Sequence, residues 1–382
     1  MLSETIWAFP LFNPQRPIDW QALEARFDWF AAMRGVPQDR IWHAEGDVFT
    51  HTKMVCEALL ELAEFQNLPA QEQHILFAAA LLHDVEKRTT TREETIGGIP
   101  RIISPKHAKK GEYTARKILY TDLAAPFAIR EQIAKLVRLH GLPLWAIEKN
   151  DPEKAAISAS LNVSLQHLAL LAEADILGRI CADQNDILLR IDLFRELARE
   201  NNCLEQAYPF ADNLTRFDYL NRGGGRPDYI PFDTTTFEAH IMCALPGSGK
   251  DTFISRHLND IPALSLDDIR RKHKISPGDK QGTGKVVQLA REEAKSLLRR
   301  QQTFVFNATN ITAAIRGKWL DLFHQYGARV KIHYIEVPYS RLLSQNRNRE
   351  HAVPEKVLND LLNKLEMPGF EEAREICPHI AD

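Results

Sequence analysis

The chain has 382 residues and a formal net charge of −3, with 44% of its residues hydrophobic and 26% charged. This length predicts two or three domains, and the composition excludes a disordered chain and a broad surface for binding polyanions. Five cysteines without a C-x-x-C pair exclude a disulfide framework or a zinc ribbon, and no signal peptide or membrane-length apolar run is visible. We therefore expect a cytoplasmic protein that has no membrane partner.

The first half of the chain shows helical patterns and no strand signal. Apolar residues recur at helical spacing from residue 20 to residue 30. Residues 89–105 hold Gly97, Gly98 and two prolines and are predicted to be a loop. Helical spacing recurs in four later segments, residues 107–119, 126–140, 165–180 and 187–197. The sequence thus predicts an all-helical N-terminal domain.

Histidines and aspartates stand on the inward faces or at the ends of these helices. His83 and Asp84 close an apolar run, His140 follows an inward stripe, and Asp175 lies beside an apolar helix face. Burying an unpaired carboxylate costs several kcal/mol, so such groups persist when they are paired or bound to a metal. For a single histidine, a hydrogen-bonded core residue is the commoner explanation, and Asp175 alone could pair with Arg179 one turn on. Taken together, the set favours a metal-assisted phosphohydrolase.

The order and spacing of these residues resemble the HD superfamily of metal-dependent phosphohydrolases over residues 40–180. Within that superfamily, three runs resemble the branch seen in bacterial tRNA nucleotidyltransferases, residues 43–52, 82–87 and 106–108. The resemblance implies four metal ligands, His51, His83, Asp84 and Asp175. Imidazole and carboxylate ligands suit Mn, Ni, Co, Fe or Zn, and the sequence does not choose among these metals.

The same resemblance implies supporting roles for other residues. His107 and His140 would complete a second metal site or hold the scissile phosphate. His43, Lys87 and Arg179 would hold phosphate oxygens or orient the metal ligands. His43 and His51 remain alternatives for one ligand position.

Residues 206–236 are predicted to connect two domains. Three successive glycines, Gly223 to Gly225, are flanked by arginines and interrupt any regular element. Such a loop could contact a phosphate, but a flexible hinge is the commoner explanation. We therefore predict an N-terminal domain over residues 1–205 and a C-terminal domain over residues 237–382.

A short apolar run from Ala239 to Ala244 is typical of a buried strand, and a glycine-rich loop follows it. The loop fits the P-loop pattern, in which backbone N–H groups and a lysine, here Lys250, cradle nucleotide phosphates. A plain glycine-rich turn is the less favoured alternative. Ala244 replaces the first glycine of the pattern, and Asp251 replaces the hydroxyl residue that contacts Mg²⁺. The predicted site for ATP or another NTP with Mg²⁺ comprises Pro246, Gly247, Ser248, Gly249, Lys250, Asp251 and Thr252.

After the P-loop, strand and helix patterns alternate, which is typical of a parallel sheet. Strands are predicted over residues 263–266, 303–307 and 330–337. Ligands of such sheets bind at the carboxyl ends of the strands. Asp267 follows one strand end and could accept a proton from an attacking hydroxyl, and Arg270 could bind a phosphate. A polar helix with Arg341, Arg347 and Arg349 is either a solvated face or a lid over the γ-phosphate.

Residues 241–367 resemble phage-type polynucleotide 5′-kinases. Besides the P-loop, the shared motifs stand in the same order at residues 267–270, 309–310, 316–319, 337–338 and 352–354. The resemblance implies that Asp267 is the general base and that Arg270 and Arg316 position the substrate phosphate. It also places Arg349 in the lid. Ala308 stands where the family has an acidic residue, and Gln345 stands where it has a lid arginine.

An all-α HD module followed by an α/β P-loop kinase module resembles the bacterial HD-Pnk family of RNA end-healing enzymes. The resemblance implies phosphorylation of polynucleotide 5′-OH ends and removal of 2′,3′-cyclic, 2′- or 3′-phosphates. RNA or DNA strand ends would be the partners, and an RNA ligase would act next. One alternative is an HD nucleotide phosphohydrolase fused to a small-molecule kinase. Another is a nucleotide-gated signalling module, although the intact histidine and aspartate set and Lys250 argue against it.

Overall fold

The computed structural model of the protein describes residues 6–276, 278–349 and 351–381. The chain divides into two compact units, Met1–Pro209 and Phe210–Asp382, called here the N-terminal unit and the C-terminal unit. The N-terminal unit is helical apart from one hairpin, and the C-terminal unit contains a five-stranded parallel sheet. These observations confirm the predicted fold class.

The N-terminal unit packs its helices around α5, in which every residue from Gln73 to Leu82 is buried. Because α5 is apolar on all sides, other helices must surround it to remove that surface from water. Residues 146–148 form a short 3₁₀ turn. The helices are α1 (Trp20–Arg26), α2 (Asp28–Ala31), α3 (Val48–Glu61), α4 (Ala63–Gln66), α5 (Ala70–Leu82), α6 (Lys87–Thr90), α7 (His107–Thr121), α8 (Phe127–Leu139), α9 (Leu142–Trp145), α10 (Pro152–Ser160), α11 (Leu165–Leu177) and α12 (Gln184–Glu200).

Residues 89–105, predicted to be a loop, contain a β-hairpin, so that prediction is wrong. Strand β1 (Arg92–Ile96) pairs antiparallel with β2 (Ile99–Ile103). The two connecting residues, Gly97 and Gly98, have φ values of +60° and +84°, which suit the two-residue turn of a hairpin. Every residue of β1 is exposed. An exposed strand has no buried face, so it lacks the apolar alternation by which strands are recognised.

Two features at the ends of α3 and α11 bring these helices into close contact. The side chain of Asp47 caps α3 by accepting a hydrogen bond from the amide of Thr50 at 2.8 Å. Helix α11 ends at Gly178, where an added Cβ would lie 2.6 Å from the amide nitrogen of Val55 on α3. Only glycine allows this approach, which places the last turn of α11 against α3.

The C-terminal unit contains an all-parallel sheet with strand order β4-β5-β3-β6-β7. Strand β3 is central, and its residues 239–244 are buried. The strands are β3 (Glu238–Ala244), β4 (Ala263–Ser265), β5 (Phe304–Asn307), β6 (Arg329–Glu336) and β7 (Glu375–Ile380). The helices are α13 (Asn213–Asn221), α14 (Lys250–His257), α15 (Leu266–Lys272), α16 (Lys280–Arg299), α17 (Ala313–Gln325), α18 (Tyr339–Arg347) and α19 (Glu355–Leu362).

The segment predicted to be a connector, residues 206–236, contains helix α13. Arg216 on this helix donates to the carbonyl oxygen of Arg374 at 2.7 Å, and Asn221 donates to that of Glu371 at 3.0 Å. These contacts attach α13 to the C-terminal unit. Glycines and prolines dominate the pattern of the rest of the segment, and the helix between them was not predicted.

Three histidines form a ladder across neighbouring strands of the sheet. His240 Nδ1 lies 2.9 Å from His333 Nε2, and His333 Nδ1 lies 3.0 Å from His379 Nε2. Phe253 of α14 packs against the rings of His333 and His379. Burial, together with the charges of the neighbouring His240, His379 and Lys331, lowers the pKa of His333 to about 3. The ladder is therefore neutral at physiological pH.

Within the described ranges, no single helix combines the length and the hydropathy of a membrane span. Helices α10 and α11 together reach both, but they are bent by 109° at the break between them.

Candidate active sites of the two units

Three helices of the N-terminal unit bring four predicted metal ligands together. His51 lies on α3, His83 and Asp84 follow α5, and Asp175 lies on α11. His51 Nε2 is 3.1 Å from an oxygen of Asp175, and His83 Nε2 is 3.2 Å from Oδ2 of Asp84. None of the four residues is more than 1% exposed. They form a buried group of nitrogen and oxygen atoms, which we call the HD cluster.

The HD cluster contains polar atoms that lack a protein partner. Among the described residues, no hydrogen bond reaches Nε2 of His51, Nε2 of His83 or Oδ1 of Asp84. Nδ1 of His83 lies 2.7 Å from the carbonyl oxygen of Ala80, and a carbonyl only accepts, so the proton is on Nδ1. The lone pair of Nε2 therefore points into the cluster, as in a histidine that binds a metal. A buried cation would satisfy these atoms, so the residues fit a metal ion.

A second group of ligand atoms adjoins the first and shares Asp84. Oδ1 of Asp84 lies 3.4 Å from Nε2 of His107 and 4.0 Å from Nε2 of His140. The Nδ1 atoms of both histidines face carbonyl oxygens, those of Ser104 at 2.7 Å and Val137 at 2.8 Å. Their Nε2 lone pairs therefore face each other, at 3.4 Å, which is unfavourable unless a cation or a proton lies between them. Asp84 therefore has one oxygen near each group of ligand atoms.

Glu45 is a site residue that the sequence did not predict. Its Oε1 lies 2.8 Å from Nδ1 of His43 and 2.9 Å from Nδ1 of His51. Its Oε2 accepts a hydrogen bond from the amide of Ile180 at 2.9 Å. Glu45 thus lies against both rings, but only His51 directs a ring nitrogen, Nε2, at Asp175. This geometry favours His51 over His43 as the ligand, although His43, Glu45 and His51 also form a possible ligand group.

Lys87 and Arg179 contact the two aspartates rather than open solvent. Nζ of Lys87 lies 2.7 Å from Oδ2 of Asp84 and donates to Gln38 at 2.8 Å. Arg179 donates to both oxygens of Asp175, at 3.0 and 2.5 Å. Both cations therefore orient ligands, which is one of the two roles predicted for them.

The electrostatics hold the two aspartates of the HD cluster ionised, and the same carboxylates outweigh burial and raise the pKa of His83. Burial alone would raise the pKa values of Asp84 and Asp175, but neighbouring cations outweigh it and hold both well below the usual range. Burial lowers the pKa of His140 to about 3 and that of His43 to about 4. The carboxylates are therefore ionised and these histidines neutral, which is the state in which both bind cations.

In the C-terminal unit, the loop between β3 and α14 has the predicted P-loop conformation. Gly247 and Gly249 have φ values of +88° and +91°, which side chains disfavour. A Cβ on Gly247 would lie 3.1 to 3.3 Å from Asn346 of α18, so the loop also needs glycine for packing. The loop ends at Lys250, the first residue of α14. Its backbone N–H groups thus lie at a helix N-terminus, where phosphates bind.

Lys250 is held by a carboxylate and an amide. Its Nζ lies 2.9 Å from Oδ1 of Asp251 and donates to the side-chain oxygen of Asn307. Asn307 in turn donates to Asp251 at 3.0 Å. Burial would raise the pKa of Asp251, but Lys250 and Asn307 lower it overall, and Arg349 contributes to the decrease. Asn307, at the end of β5, is a further site residue that the sequence did not predict.

Asp267 is exposed and lies in the first turn of α15. The cap of this helix is Ser265, whose hydroxyl accepts from the amide of Asp268 at 3.2 Å. Asp267 is therefore not a helix cap. Ser265 lies opposite Asn307 in the sheet, so α15 starts beside the residue that contacts Lys250. Arg270 Nη2 lies 3.3 Å from the hydroxyl of Thr283.

Arg316, predicted to position a substrate phosphate, is fully buried, and this corrects the prediction. Its guanidinium donates to both oxygens of Glu372, at 2.6 and 2.7 Å. It also donates to the carbonyl oxygens of Asn310 and Glu366 at 3.0 and 2.9 Å. With its donors used inside the fold, Arg316 holds the segment around residue 366 to the end of β5.

The predicted lid arginines differ in their surroundings. Arg347 is exposed and donates through Nε and Nη2 to Glu355, at 3.1 and 2.7 Å. Arg349 contributes to the lowered pKa of Asp251, so its charge lies on the P-loop side. Gln345, which replaces a lid arginine, can donate to the carbonyl oxygen of Gly247 at 2.6 Å. Arg347 is thus paired with Glu355, while the charge of Arg349 helps to lower the pKa of Asp251 beside Lys250.

Residues 48–190 match the family model of the HD domain, and residues 240–368 match that of an AAA domain. The chain is an HD domain followed by a P-loop kinase-like domain. Two solved structures are similar over 38% of this chain and 86% of their own. One is a candidate kinase from Chloroflexus aurantiacus J-10-fl, at 14% identity and a TM-score of 0.32. The other is a sugar kinase from Janibacter sp. HTCC2649, at 15% identity and a TM-score of 0.30.

These two likenesses are too distant to carry an inference about fold or substrate. The domain matches agree with the chemistry of the sites. HD domains bind divalent metals, and the HD cluster offers histidine and aspartate groups that could hold one. A P-loop kinase-like domain implies a nucleotide with Mg²⁺. The chain is therefore equipped for phosphate hydrolysis in one unit and for phosphoryl transfer in the other.

Proposed function

We propose that this protein heals the broken ends of RNA strands. The HD domain removes 2′,3′-cyclic, 2′- or 3′-phosphates, and the kinase-like domain transfers phosphate from ATP or another NTP to a 5′-OH. The observation that supports this proposal is the presence in one chain of a buried HD cluster with unpartnered ligand atoms and a P-loop that ends in Lys250. Repair of one break requires removal of a phosphate from one end and addition of a phosphate to the other, so it needs both activities. An RNA ligase could then join the ends.

In the HD domain, His51, His83 and Asp175, with Asp84 beside His83, would hold one divalent metal, and Asp84, His107 and His140 would hold a second. Bound metals of this kind supply an activated water and polarise a phosphoryl oxygen. Neighbouring side chains contact these ligands and help to orient them. Lys87 and Arg179 fix the aspartate oxygens, and Glu45 fixes the His51 ring.

In the kinase-like domain, the backbone N–H groups of the P-loop and Lys250 would bind the β- and γ-phosphates, with Arg349 beside them. The carboxylate of Asp267 would accept the proton of the attacking 5′-hydroxyl. The oxygen of the 5′-hydroxyl forms a bond to the γ-phosphorus, while the bond between that phosphorus and the leaving nucleoside diphosphate breaks. Asp267 suits this role because it is exposed and its helix is capped by Ser265 instead.

The test is one incubation with two readouts. An oligoribonucleotide with a 5′-OH and a 2′,3′-cyclic phosphate is mixed with the full chain, ATP and a panel of divalent metals. We expect a 5′-phosphate and a 2′,3′-diol. A DNA oligonucleotide with a 5′-OH and a 3′-phosphate, compared with the RNA oligonucleotide that carries the same two ends, measures sugar preference. Turnover of free nucleosides and nucleotides, with neither end of the oligonucleotide changed, would contradict the proposal and support the small-molecule alternative.

A further inference from the structure

A cavity of about 380 Å³ in the N-terminal unit lies outside the HD cluster. One wall is the turn at residues 34–37, and another is formed by residues 88–93, including the start of the hairpin. Its volume falls within the roughly 300–1,000 Å³ of small-ligand sites. The lining combines three arginines with apolar side chains. The residues are Arg34, Gly35, Val36, Pro37, Arg88, Thr91, Arg92, Glu93 and Ile102.

The cavity adjoins the HD cluster through the chain itself. Pro37 and Arg88 line the cavity, and their immediate neighbours Gln38 and Lys87 contact each other at 2.8 Å. Lys87 in turn contacts Asp84 of the HD cluster at 2.7 Å. One polar bridge therefore separates the cavity from the ligand atoms.

The lining contains more arginines than acidic residues, and each arginine is also paired with a glutamate outside the lining. It includes three arginines and one acidic residue, Glu93. The arginines are held in place on one side. Arg34 donates through Nε and Nη2 to Glu24, Arg92 through the same atoms to Glu94, and Arg88 through these atoms to Val85 and Glu86.

An arginine has five N–H donors in a fixed fork. The hydrogen bonds just described use the Nε and Nη2 edge of each fork, so the Nη1 edge can receive an anion. Such positioned guanidinium groups suit phosphate, which they bind with charge-assisted hydrogen bonds. The apolar side chains of Val36, Pro37 and Ile102 in the same lining suit the base or sugar of a nucleotide.

The hairpin that forms part of this cavity is anchored at its base. Arg101 on β2 donates to Asp39 at 2.6 Å, and Thr91 contacts Ser104 at 2.7 Å across the hairpin. Arg92 and Glu93 at the start of β1 therefore have a fixed position relative to the turn at residues 34–37. The cavity is a formed feature of the unit and not a gap beside a loose loop.

We propose that this cavity is a strand-binding subsite of the HD domain, which receives the nucleotide that precedes the terminal phosphate. The inference rests on the proposed function and specifies its substrate class. The phosphodiester that joins the terminal nucleotide to the rest of the strand contacts the arginines. A mononucleotide that carries the same terminal phosphate lacks this phosphodiester, so a polynucleotide end is the better substrate.

The experiment compares kcat/KM for a 3′-phosphorylated oligoribonucleotide with kcat/KM for a nucleoside 3′-monophosphate, using the full chain and the most active metal. We expect the ratio of the two values to exceed one in the wild type. In Arg34→Gln and Arg92→Gln it should fall about tenfold each, through KM, because each variant lacks one charge-assisted hydrogen bond to phosphate. The salt dependence of oligonucleotide hydrolysis should also become shallower, by about 0.7 in the log–log slope for each phosphate that an arginine no longer neutralises.

Two further variants keep the test sharp. Glu93→Gln removes the one carboxylate of the lining and should raise the ratio. Arg199→Gln carries the same charge change as the arginine variants, on an exposed residue of α12 paired with Glu196, and should leave the ratio unchanged. Binding of an oligoribonucleotide that has no terminal phosphate and a blocked 5′ end, measured by fluorescence anisotropy, should weaken in the arginine variants and not in Arg199→Gln.

The outcomes separate the two proposals. If the wild type hydrolyses neither substrate with any metal, the proposed function fails. If it hydrolyses both with equal kcat/KM, or if the arginine variants keep the wild-type ratio, the cavity is not a strand-binding subsite, although the end-healing proposal stands. A ratio that falls equally in Arg199→Gln would also overturn the inference, because general charge would then explain it.

Discussion

Replacing Asp84 by asparagine should remove metal binding from the HD domain. Asp84 is 1% exposed, and its two oxygens face different groups, Oδ2 toward His83 and Oδ1 toward His107. An amide has almost the same shape, but it carries no charge and presents one oxygen instead of two. Both metal sites would therefore lack their shared ligand at once.

The size of the effect follows from linkage between binding and folding. A metal present at about 100 times its Kd stabilises the folded state by about 2.7 kcal/mol. For a unit of this size, about 2–4 °C of Tm corresponds to each kcal/mol, so the wild type should gain roughly 5–11 °C. The variant also leaves Lys87, which is 8% exposed, without its ion pair, so its metal-free form should itself be less stable. The increase on adding metal is measured from each protein's own baseline and is unaffected by that offset.

The assay is differential scanning calorimetry of the metal-stripped full chain, titrated with Mn²⁺, Ni²⁺, Co²⁺ or Zn²⁺, together with elemental analysis. Asp192→Asn is the matched control, because it removes a carboxylate from α12 that is 67% exposed and paired with Arg195. We expect the control to keep the metal-induced increase in Tm and Asp84→Asn to lose it. A full increase and unchanged metal content in Asp84→Asn would refute the metal site described here.

Three other changes test the C-terminal unit. Asp267→Asn should lower the rate of 5′-OH phosphorylation by a factor of about 10²–10⁴. The control Asp268→Asn, which removes the neighbouring charge, should not lower it. Equal decreases in the two variants would exclude Asp267 as the general base. Arg316→Met should destabilise the unit in chemical denaturation by up to about 3–5 kcal/mol, because it removes a fully buried guanidinium and leaves Glu372, whose side chain is 11% exposed, without its ion pair. Unchanged stability with a slower kinase would restore the substrate role. Since burial depresses the pKa of His333 to about 3, the unfolded chain binds more protons than the folded one between pH 6.5 and about 3. Stability should therefore fall by up to about 1.4 kcal/mol per pH unit as pH drops through this window, and His333→Gln should show a shallower fall.

Those parts of the fold that depend on local pattern could be predicted from the sequence. The strand, glycine turn and helix around Lys250 lie within a few residues of one another, and the structure confirms the order. The hairpin at residues 92–103 could not be predicted because β1 is exposed along its whole length, so its sequence shows no alternation of apolar and polar residues. Its two glycines are as typical of a loop as of the turn of a hairpin, so they do not decide between the two.

Residue roles that depend on distant partners could not be predicted in the same way. Glu45 stands close to His43 and His51 in sequence, but its second oxygen is held by the amide of Ile180, 135 residues away. Nothing near Glu45 in the chain indicates that this contact exists. The prediction that His107 and His140 complete a second metal site or hold the scissile phosphate came from resemblance. The Asp84 oxygen that lies near both histidines is visible only in the structure.

Arg316 and Asp267 show how burial decides between a functional and a structural role. Both stand at family motif positions, and both have a plausible contact with substrate by sequence alone. Arg316 is fully buried and donates hydrogen bonds to Glu372 and to backbone carbonyl oxygens. Binding a phosphate would therefore require breaking contacts that hold the fold. Asp267 is exposed, and Ser265 performs the capping that would otherwise explain an aspartate at a helix start. A buried side chain whose donors hold the fold cannot bind a phosphate without breaking those contacts, whereas an exposed side chain that does not cap its helix can contact a substrate without such a loss.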